Sequence, residues 1–312
     1  MTINLGMAMA RSNWDTNSIG DQSGRVVVVT GATSGIGEQT ARVLAGKNAK
    51  VILAVRNPAK GEVTVASIRQ EFPRADVEVL ALDLSRLRSI SEFCQNFFDS
   101  YDRLDILINN AGVMWCPYEK TVDGFEIQLG TNHLGHFALT LQLMPLLLKT
   151  RDSRVVNVSS IAHKAGKIDF DDMAWESRSY KPVQAYSDSK IANLYFTHEL
   201  ARKLDGIEGA PRVTAAHPGW TRSELQRHSG LMRFLNSFFA QYPDMGALPT
   251  LRAAIDPDAQ PGDYFGPSKF FEMHGHPAKV KADKRSQDRN AAERLWSKSE
   301  LLTSVHFSQD TK

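Results

Sequence analysis

The chain has 312 residues, 42% of them hydrophobic and 23% charged, with a net charge of +2. This balance is that of globular material and excludes a disordered or fibrous chain. The small charge, with basic and acidic residues interleaved outside the segment 279–294, excludes an electrostatic footprint for nucleic acid. Taken in chain order, residues 1–24 contain Asn, Asp, Ser and Arg without a sustained apolar core. They read as an N-terminal extension, neither a signal peptide nor a membrane span. The two cysteines, Cys94 and Cys116, provide no disulfide framework, which suits a reducing compartment. A cytoplasmic protein is expected.

Val26 to Val29 are four consecutive valines with no polar alternation, the pattern of a strand buried on both faces. The strand breaks at Gly31, and a helical pattern starts near Gly35 and continues through Glu38, Ala41, Leu44 and Ala45. Glycines at 31, 35 and 37 would let a phosphate approach the backbone at the positive end of that helix. Lys50 to Val55 reads as a second strand, after which Asn57-Pro58 caps a helix. Val77 to Leu82 is a third strand ending at Asp83, and Ser85 is expected to cap a helix running through Phe98. Leu104 to Ile108 is a fourth strand, followed by Asn109-Asn110-Ala111-Gly112.

A long helix is expected from about Glu126 to Lys149. Its apolar part, Leu139 to Leu148, is too short to span a bilayer and contains Gln142 and Pro145. Arg154 to Val158 is a fifth strand ending in Ser159-Ser160. A polar insertion from His163 to Tyr180 precedes a helix from about Val183 to Leu204, and Arg212 to Ala216 is a sixth strand ending at Pro218-Gly219. The pattern then blurs until Asp263 to Gly266, a short last strand, and a final helix from Asn290 to Leu302. Strands alternating with helices imply right-handed crossovers. The expected fold is a single doubly wound (Rossmann) α/β domain over residues 25–312, a parallel sheet of about seven strands with helices on both faces. Ligands bind such sheets beyond the carboxyl ends of the strands, where Gly31, Arg56, Asp83, Asn109, Ser160 and Pro218 all fall.

Tyr186 and Lys190 lie four apart on a helix and so share a face. A tyrosine, with an ordinary pKa of about 10, needs roughly 3–4 kcal/mol of phenolate stabilisation to exchange protons near neutrality. A lysine ammonium one turn away supplies part of that. Ser160 can donate a hydrogen bond to a substrate oxygen that gains charge.

With Thr30-Gly31-Ala32-Thr33-Ser34-Gly35-Ile36-Gly37, Asp83, Asn109-Asn110-Ala111-Gly112, Asn132, Ser160, Tyr186-x-x-x-Lys190 and Pro218-Gly219 in that order, the chain resembles the short-chain dehydrogenase/reductase family over about residues 24 to 305. The resemblance implies that Tyr186 is the proton donor or acceptor and that Ser160, with Ser159 as the alternative, orients the carbonyl or alcohol. Lys190 would hold the nicotinamide ribose and lower the Tyr186 pKa. Asn132 would position a water linking Lys190 to a proton relay. Asp83 and Leu84 would contact the adenine, and Asn110, Ala111 and Gly112 would wall its side of the site. Cofactor contacts are further implied for Gly31, Thr33, Ser34, Gly35, Ile36, Gly37, Pro218 and Gly219, and for Ser223, with Thr221 as the alternative. Within the family, Leu53-Ala54-Val55-Arg56-Asn57, Thr131-Asn132-His133-Leu134-Gly135-His136-Phe137 and Val155 to His163 resemble the retinol-dehydrogenase-like branch.

The end of the second strand selects the dinucleotide. A carboxylate there favours NAD(H) and a cation favours NADP(H). The chain has Arg56, with Lys60 nearby, so NADP(H) is expected over NAD(H). The stripe Leu231, Phe234, Leu235, Phe238 and Phe239 reads as part of a substrate lid over 224–262, with a small lipophilic carbonyl or alcohol beneath it. His274-x-His276 lacks nearby ligands, so no metal is expected, and His217 reads as a packing residue at a strand end. The helices at 126–149 and 183–204 resemble those that pair subunits in the family, which allows a homodimer or homotetramer. The alternative to an NAD(P)(H)-dependent oxidoreductase is a dinucleotide-binding sensor or scaffold without turnover.

Overall fold

The computed structural model describes residues 13–220 and 242–308. Eight strands form one sheet in the order β3-β2-β1-β4-β5-β6-β7-β8. They are β1 (Val26–Thr30), β2 (Lys50–Val55), β3 (Val77–Ala81), β4 (Ile106–Asn109), β5 (Arg154–Val158), β6 (Arg212–Ala216), β7 (Tyr264–Lys269) and β8 (His274–Lys279). β1 to β7 pair in parallel, and β8 adds to the edge antiparallel to β7. The order reverses between β1 and β4, so the crevice of the doubly wound sheet opens there.

The valine run is legible in the packing. Val26 and Val28 enter one core layer, with Phe93, Phe97, Phe137, Phe196 and Trp296. Val27 and Val29 enter the opposite layer, with Leu44, Leu53, Ile68, Leu251 and Phe265. Alternate side chains of a strand point to opposite faces, and here both faces are covered by helices. α1 (Gly35–Gly46) and α2 (Pro58–Glu71) cover one face, and α3 (Leu87–Ser100) covers the other.

Two expectations change on folding, and the sheet expected at about seven strands has eight. Ser85 does not cap α3. Its amide and hydroxyl both donate to Asp83 Oδ1, at 3.0 and 2.6 Å, and the helix begins at Leu87, whose N–H donates to Asp123 Oδ2. The expected long helix over 126–149 is three pieces: one α-helical turn, α4 (Ile127–Leu129), a π-helical turn over Gly130–Leu134, and α5 (Gly135–Lys149). A π turn inserts one extra residue and re-aims the side chains on it, and Asn132 is among them. The sheet has an eighth strand, β8, whose His-Gly-His-Pro-Ala-Lys sequence carries no alternation and is held by pairing with β7.

α6 (Pro182–Lys203) is buried along most of its length. α7 (Pro243–Ile255) packs on α1, with Ala247, Leu251 and Ala254 in the core. It therefore belongs to the scaffold, and a lid over 224–262 does not extend across it. The apolar stripe Leu231 to Phe239 lies outside the described residues. α8 (Arg289–Thr303) closes the chain by packing Trp296 against Phe137 and Phe196. Among the described residues no helix is long and apolar enough to cross a membrane.

Candidate functional site

The glycine-rich turn leaves β1 at Gly31, whose φ of 66° is left-handed and whose missing Cβ would lie 2.8 Å from Ala111 Cα. A Cβ on Gly37 would lie 2.4 Å from Asn110 Nδ2 and 2.5 Å from Gly31 O. Both positions therefore require glycine, because the loop after β4 packs directly on the turn. Ser34 is the N-cap of α1 but its side chain makes no capping bond, which leaves first-turn N–H groups open at the positive helix end. Thr33 and Ile36 flank that opening half-buried.

Sequence reasoning quoted Thr30 and His136 without giving either a role, and both are hubs. Thr30 Oγ1 accepts from the N–H groups of Asn110 and Ala111, each at 2.9 Å. Its remaining proton is directed at His136 Nε2, also at 2.9 Å. His136 Nδ1 lies 3.0 Å from the Asn132 carbonyl, so the assigned tautomer carries its proton on Nδ1 and accepts on Nε2. Burial holds this imidazole neutral, its pKa pushed down to about 4. The only signal in the sequence was a histidine four residues after Asn132 in an otherwise apolar helix.

Asn110 Nδ2 donates to Thr30 O at 2.8 Å and ties the β4 loop to the turn. Asp83 spends its carboxylate on Ser85 and the Arg86 guanidinium, and its own N–H donates to Ser89 Oγ at 3.0 Å. Leu84 is buried behind it, with its carbonyl close against Gly135. Arg56 and Lys60 are exposed at the carboxyl end of β2, and Arg56 makes no hydrogen bond or ion pair within the described residues. Pro218 and Gly219 follow β6, while Ser223 and Thr221 lie outside the described residues.

Tyr186, Lys190 and Ser160 converge. Ser159 Oγ donates to the Lys190 carbonyl at 2.7 Å and is thereby turned into α6. Ser160 is left at the N-cap of the following turn, where its Oγ accepts from the Ala162 N–H at 3.2 Å, and its side chain is turned to the Tyr186 phenol. Lys190 Nζ donates to Val158 O at 3.1 Å and lies 5.6 Å from the centre of the Tyr186 ring. Asn132 uses its whole side chain: Oδ1 accepts from Val113 N–H at 2.8 Å, and Nδ2 donates to Val113 O and Ser189 Oγ, each at 2.9 Å. The amide therefore pins the loop after Gly112 to α6.

The electrostatics differ from expectation in one respect. Burial pushes the Tyr186 phenol up to about 12, and the Ser160 hydrogen bond offsets only part of this. Burial also pushes the Lys190 ammonium down to about 8. Burial disfavours the charged form of each group and keeps the tyrosine a neutral phenol. A phenol in this state is a proton donor.

Between them on α6, Asp188 is buried, accepts from Lys167 N–H and Gln184 Nε2, each at 2.7 Å, and has its carboxyl pushed up to about 6 by burial. A carboxyl raised in the folded state binds its proton more tightly there than in the unfolded chain. Stability is therefore lost as pH rises from about 4 to about 6. Asp188→Asn keeps the acceptor oxygen and removes the charge. It is expected to stabilise the protein at pH 7.5 by on the order of 1–2 kcal/mol and to flatten the decline between pH 4 and 6. Thermal unfolding across that range checks this, and an unchanged pH slope would refute it.

His274 meets the Phe270 ring edge-on and His276 Nδ1 contacts the Trp14 carbonyl. Cys94 is buried, and its thiol is pushed up to about 12, as expected of an inert core cysteine.

The family described as short chain dehydrogenase matches residues 25–233. Retinol dehydrogenase 12 of Homo sapiens is 45% identical over 285 residues, covering 89% of this chain and 86% of its own. The crystal structure of an uncharacterized protein from Mycobacterium Paratuberculosis superposes with a TM-score of 0.81 at 43% identity, over 95% of this chain and 100% of that one. A short chain dehydrogenase from Shigella flexneri complexed with NADP superposes with a TM-score of 0.62 at 27% identity, over 78% and 96%. The turn that demands glycine, the Ser160–Tyr186–Lys190 group and these likenesses agree, and the chain belongs to the retinol-dehydrogenase-like branch of the short-chain dehydrogenases, NAD(P)-dependent oxidoreductases.

Proposed function

We propose that the protein reduces a small lipophilic aldehyde or ketone with NADPH, and catalyses the reverse oxidation of the alcohol, with Tyr186 as acid and base. The observation that carries this reading is the meeting of half-buried Ser160 with buried Tyr186 and Lys190 beside the glycine turn. The residues fit a dinucleotide. The turn around Gly31 and Gly37 has no room for Cβ atoms, the open N–H groups of α1 suit a pyrophosphate, and the exposed Arg56 suits a ribose 2′-phosphate. When bound, the nicotinamide supplies or accepts the hydride.

Ser160 donates a hydrogen bond to the substrate oxygen, and the Tyr186 phenol delivers the proton as charge develops there. Lys190 carries positive charge next to the phenolate left behind, which favours that product over an isolated buried anion. Asn132 and His136 hold the Val113 loop and α6 in place around the reacting groups. The retinol dehydrogenase relative and the NADP-bound neighbour support a lipophilic substrate and NADP(H), although Val55-Arg56 carries the cofactor argument within this chain.

A panel of retinaldehyde, long-chain aldehydes, steroids and aryl ketones, followed by nicotinamide absorbance with NADPH and NADH in parallel, tests the reading. Turnover of at least one lipophilic carbonyl, faster with NADPH, is expected. Dinucleotide binding without turnover of any of them would favour a sensor or scaffold. We also propose that the protein works in the cytoplasm and pairs through its long helices as a homodimer or homotetramer, which sedimentation would establish.

A further inference from the structure

His217 follows β6, and its ring is fully buried against Tyr264. Nδ1 accepts from the Gly219 N–H at 3.3 Å, so the ring proton belongs on Nε2, and Nε2 lies 3.2 Å from Glu272 Oε2, an ion-pair distance without hydrogen-bond alignment. Glu272 lies in the tip of the β7–β8 hairpin and ends a run of three left-handed residues, Phe270, Phe271 and Glu272, with φ of 50°, 55° and 66°. Side chains with a Cβ disfavour this conformation, and three in succession persist only where surrounding contacts over-determine them.

Those contacts all lead to one place. The Trp220 N–H donates to the Met273 carbonyl at 3.1 Å. A Cβ on Gly219 would lie 2.5 Å from that same carbonyl oxygen. Glu272 Oε2 also meets Lys164 Nζ at 3.4 Å, and Lys164 sits in the turn that Ser160 caps. The groups facing the pair are thus Lys164, Tyr264 and, through Tyr264, His163.

We propose that the His217–Glu272 pair is a latch that fixes the hairpin tip against the Pro218–Gly219–Trp220 turn and so sets the position of the nicotinamide half of the cofactor. This rests on the reading of that turn as the nicotinamide end of the site. Neither residue touches the reacting atoms, and both are positioning residues. Glu272 holds a strained loop whose Met273 carbonyl defines how closely the turn can approach. Without that hold the loop relaxes toward ordinary backbone and the turn loses its backing. Arg56 and Asp83, which would hold the adenine half, follow β2 and β3 at the opposite edge of the sheet from the hairpin.

The test compares Glu272→Ala and Glu272→Gln with the wild type. Affinities are measured for NADPH and for adenosine 2′,5′-bisphosphate, which carries only the adenine end, alongside kcat and KM on a substrate from the panel. Glu272→Ala is expected to weaken NADPH about tenfold and lower kcat, while the bisphosphate stays within about twofold. Glu272→Gln, whose amide oxygen still faces Nε2, should restore most of the loss. Unchanged NADPH affinity and kcat in Glu272→Ala would overturn the latch, and so would equal weakening of both ligands, which marks general loosening. A wild type that prefers NADH is tested with NADH and ADP instead. A wild type that binds no dinucleotide overturns the site reading and the latch together, which separates that failure from a failure of the latch alone.

Discussion

Tyr186→Phe is expected to reduce kcat by about a thousandfold or more while leaving the NADPH dissociation constant within about twofold. General acid catalysis by one positioned side chain is worth roughly 10²–10⁴-fold. Here no second group can replace it. Ser160 holds an ordinary hydroxyl, and Lys190 donates to the Val158 carbonyl and lies beside the ring rather than at the phenol oxygen. Phenylalanine keeps the ring packing of a buried residue, so the fold and the cofactor cradle are preserved. Stopped-flow absorbance at saturating NADPH, with fluorescence titration for binding, makes the measurement. Residual kcat within tenfold of the wild type would remove Tyr186 from the proton transfer.

Arg56→Asp is expected to lower the NADPH/NADH ratio of kcat/KM by on the order of a hundredfold. Hydrogen bonds to charged groups contribute about 1.5–3 kcal/mol, and a carboxylate at that position adds repulsion against a 2′-phosphate. The same carboxylate can accept from two free ribose hydroxyls, so NADH should gain as NADPH loses. Arg56 is exposed at the end of β2 and has no partner within the described residues, so its replacement leaves nothing buried unpaired. Lys60, one helical turn away, could sustain part of the preference. If Arg56→Asp leaves the ratio unchanged, the double variant with Lys60→Ala decides whether the cation belongs to the site at all.

The strands whose sequences are continuous β-branched runs were legible almost to the residue. β5 and β6 have the expected bounds, and β1 and β2 follow their apolar runs. Such segments are covered on both faces, so their composition already states their environment. The helix boundaries given by Asn57-Pro58 and by the Tyr186–Lys190 face were equally local. Elements that failed to show themselves depend on partners distant in sequence. β8 exists because β7 offers it an edge, and α7 is core because α1 and the sheet surround it. The break in the helix over 126–149 has the same origin, since Asn132 is bonded to Val113 and Ser189 rather than to its own helix.

The candidate site divides in the same way. By itself, the sequence determined the residue types: glycines at 31 and 37, a cation at 56, a tyrosine and lysine one turn apart, and a serine pair after β5. Those patterns are short in range and arise from backbone geometry and helix periodicity. Only the tertiary structure decided which serine is free, because Ser159 is turned away by the Lys190 carbonyl. It also decided that Asn132 is a clamp, that Thr30 and His136 join the turn to it, and that His217 reaches Glu272. The protonation of Tyr186 was decided there too. Spacing alone places a lysine near the phenol, but how far both groups are withdrawn from water depends on what packs around them, and burial disfavours the charged form of each.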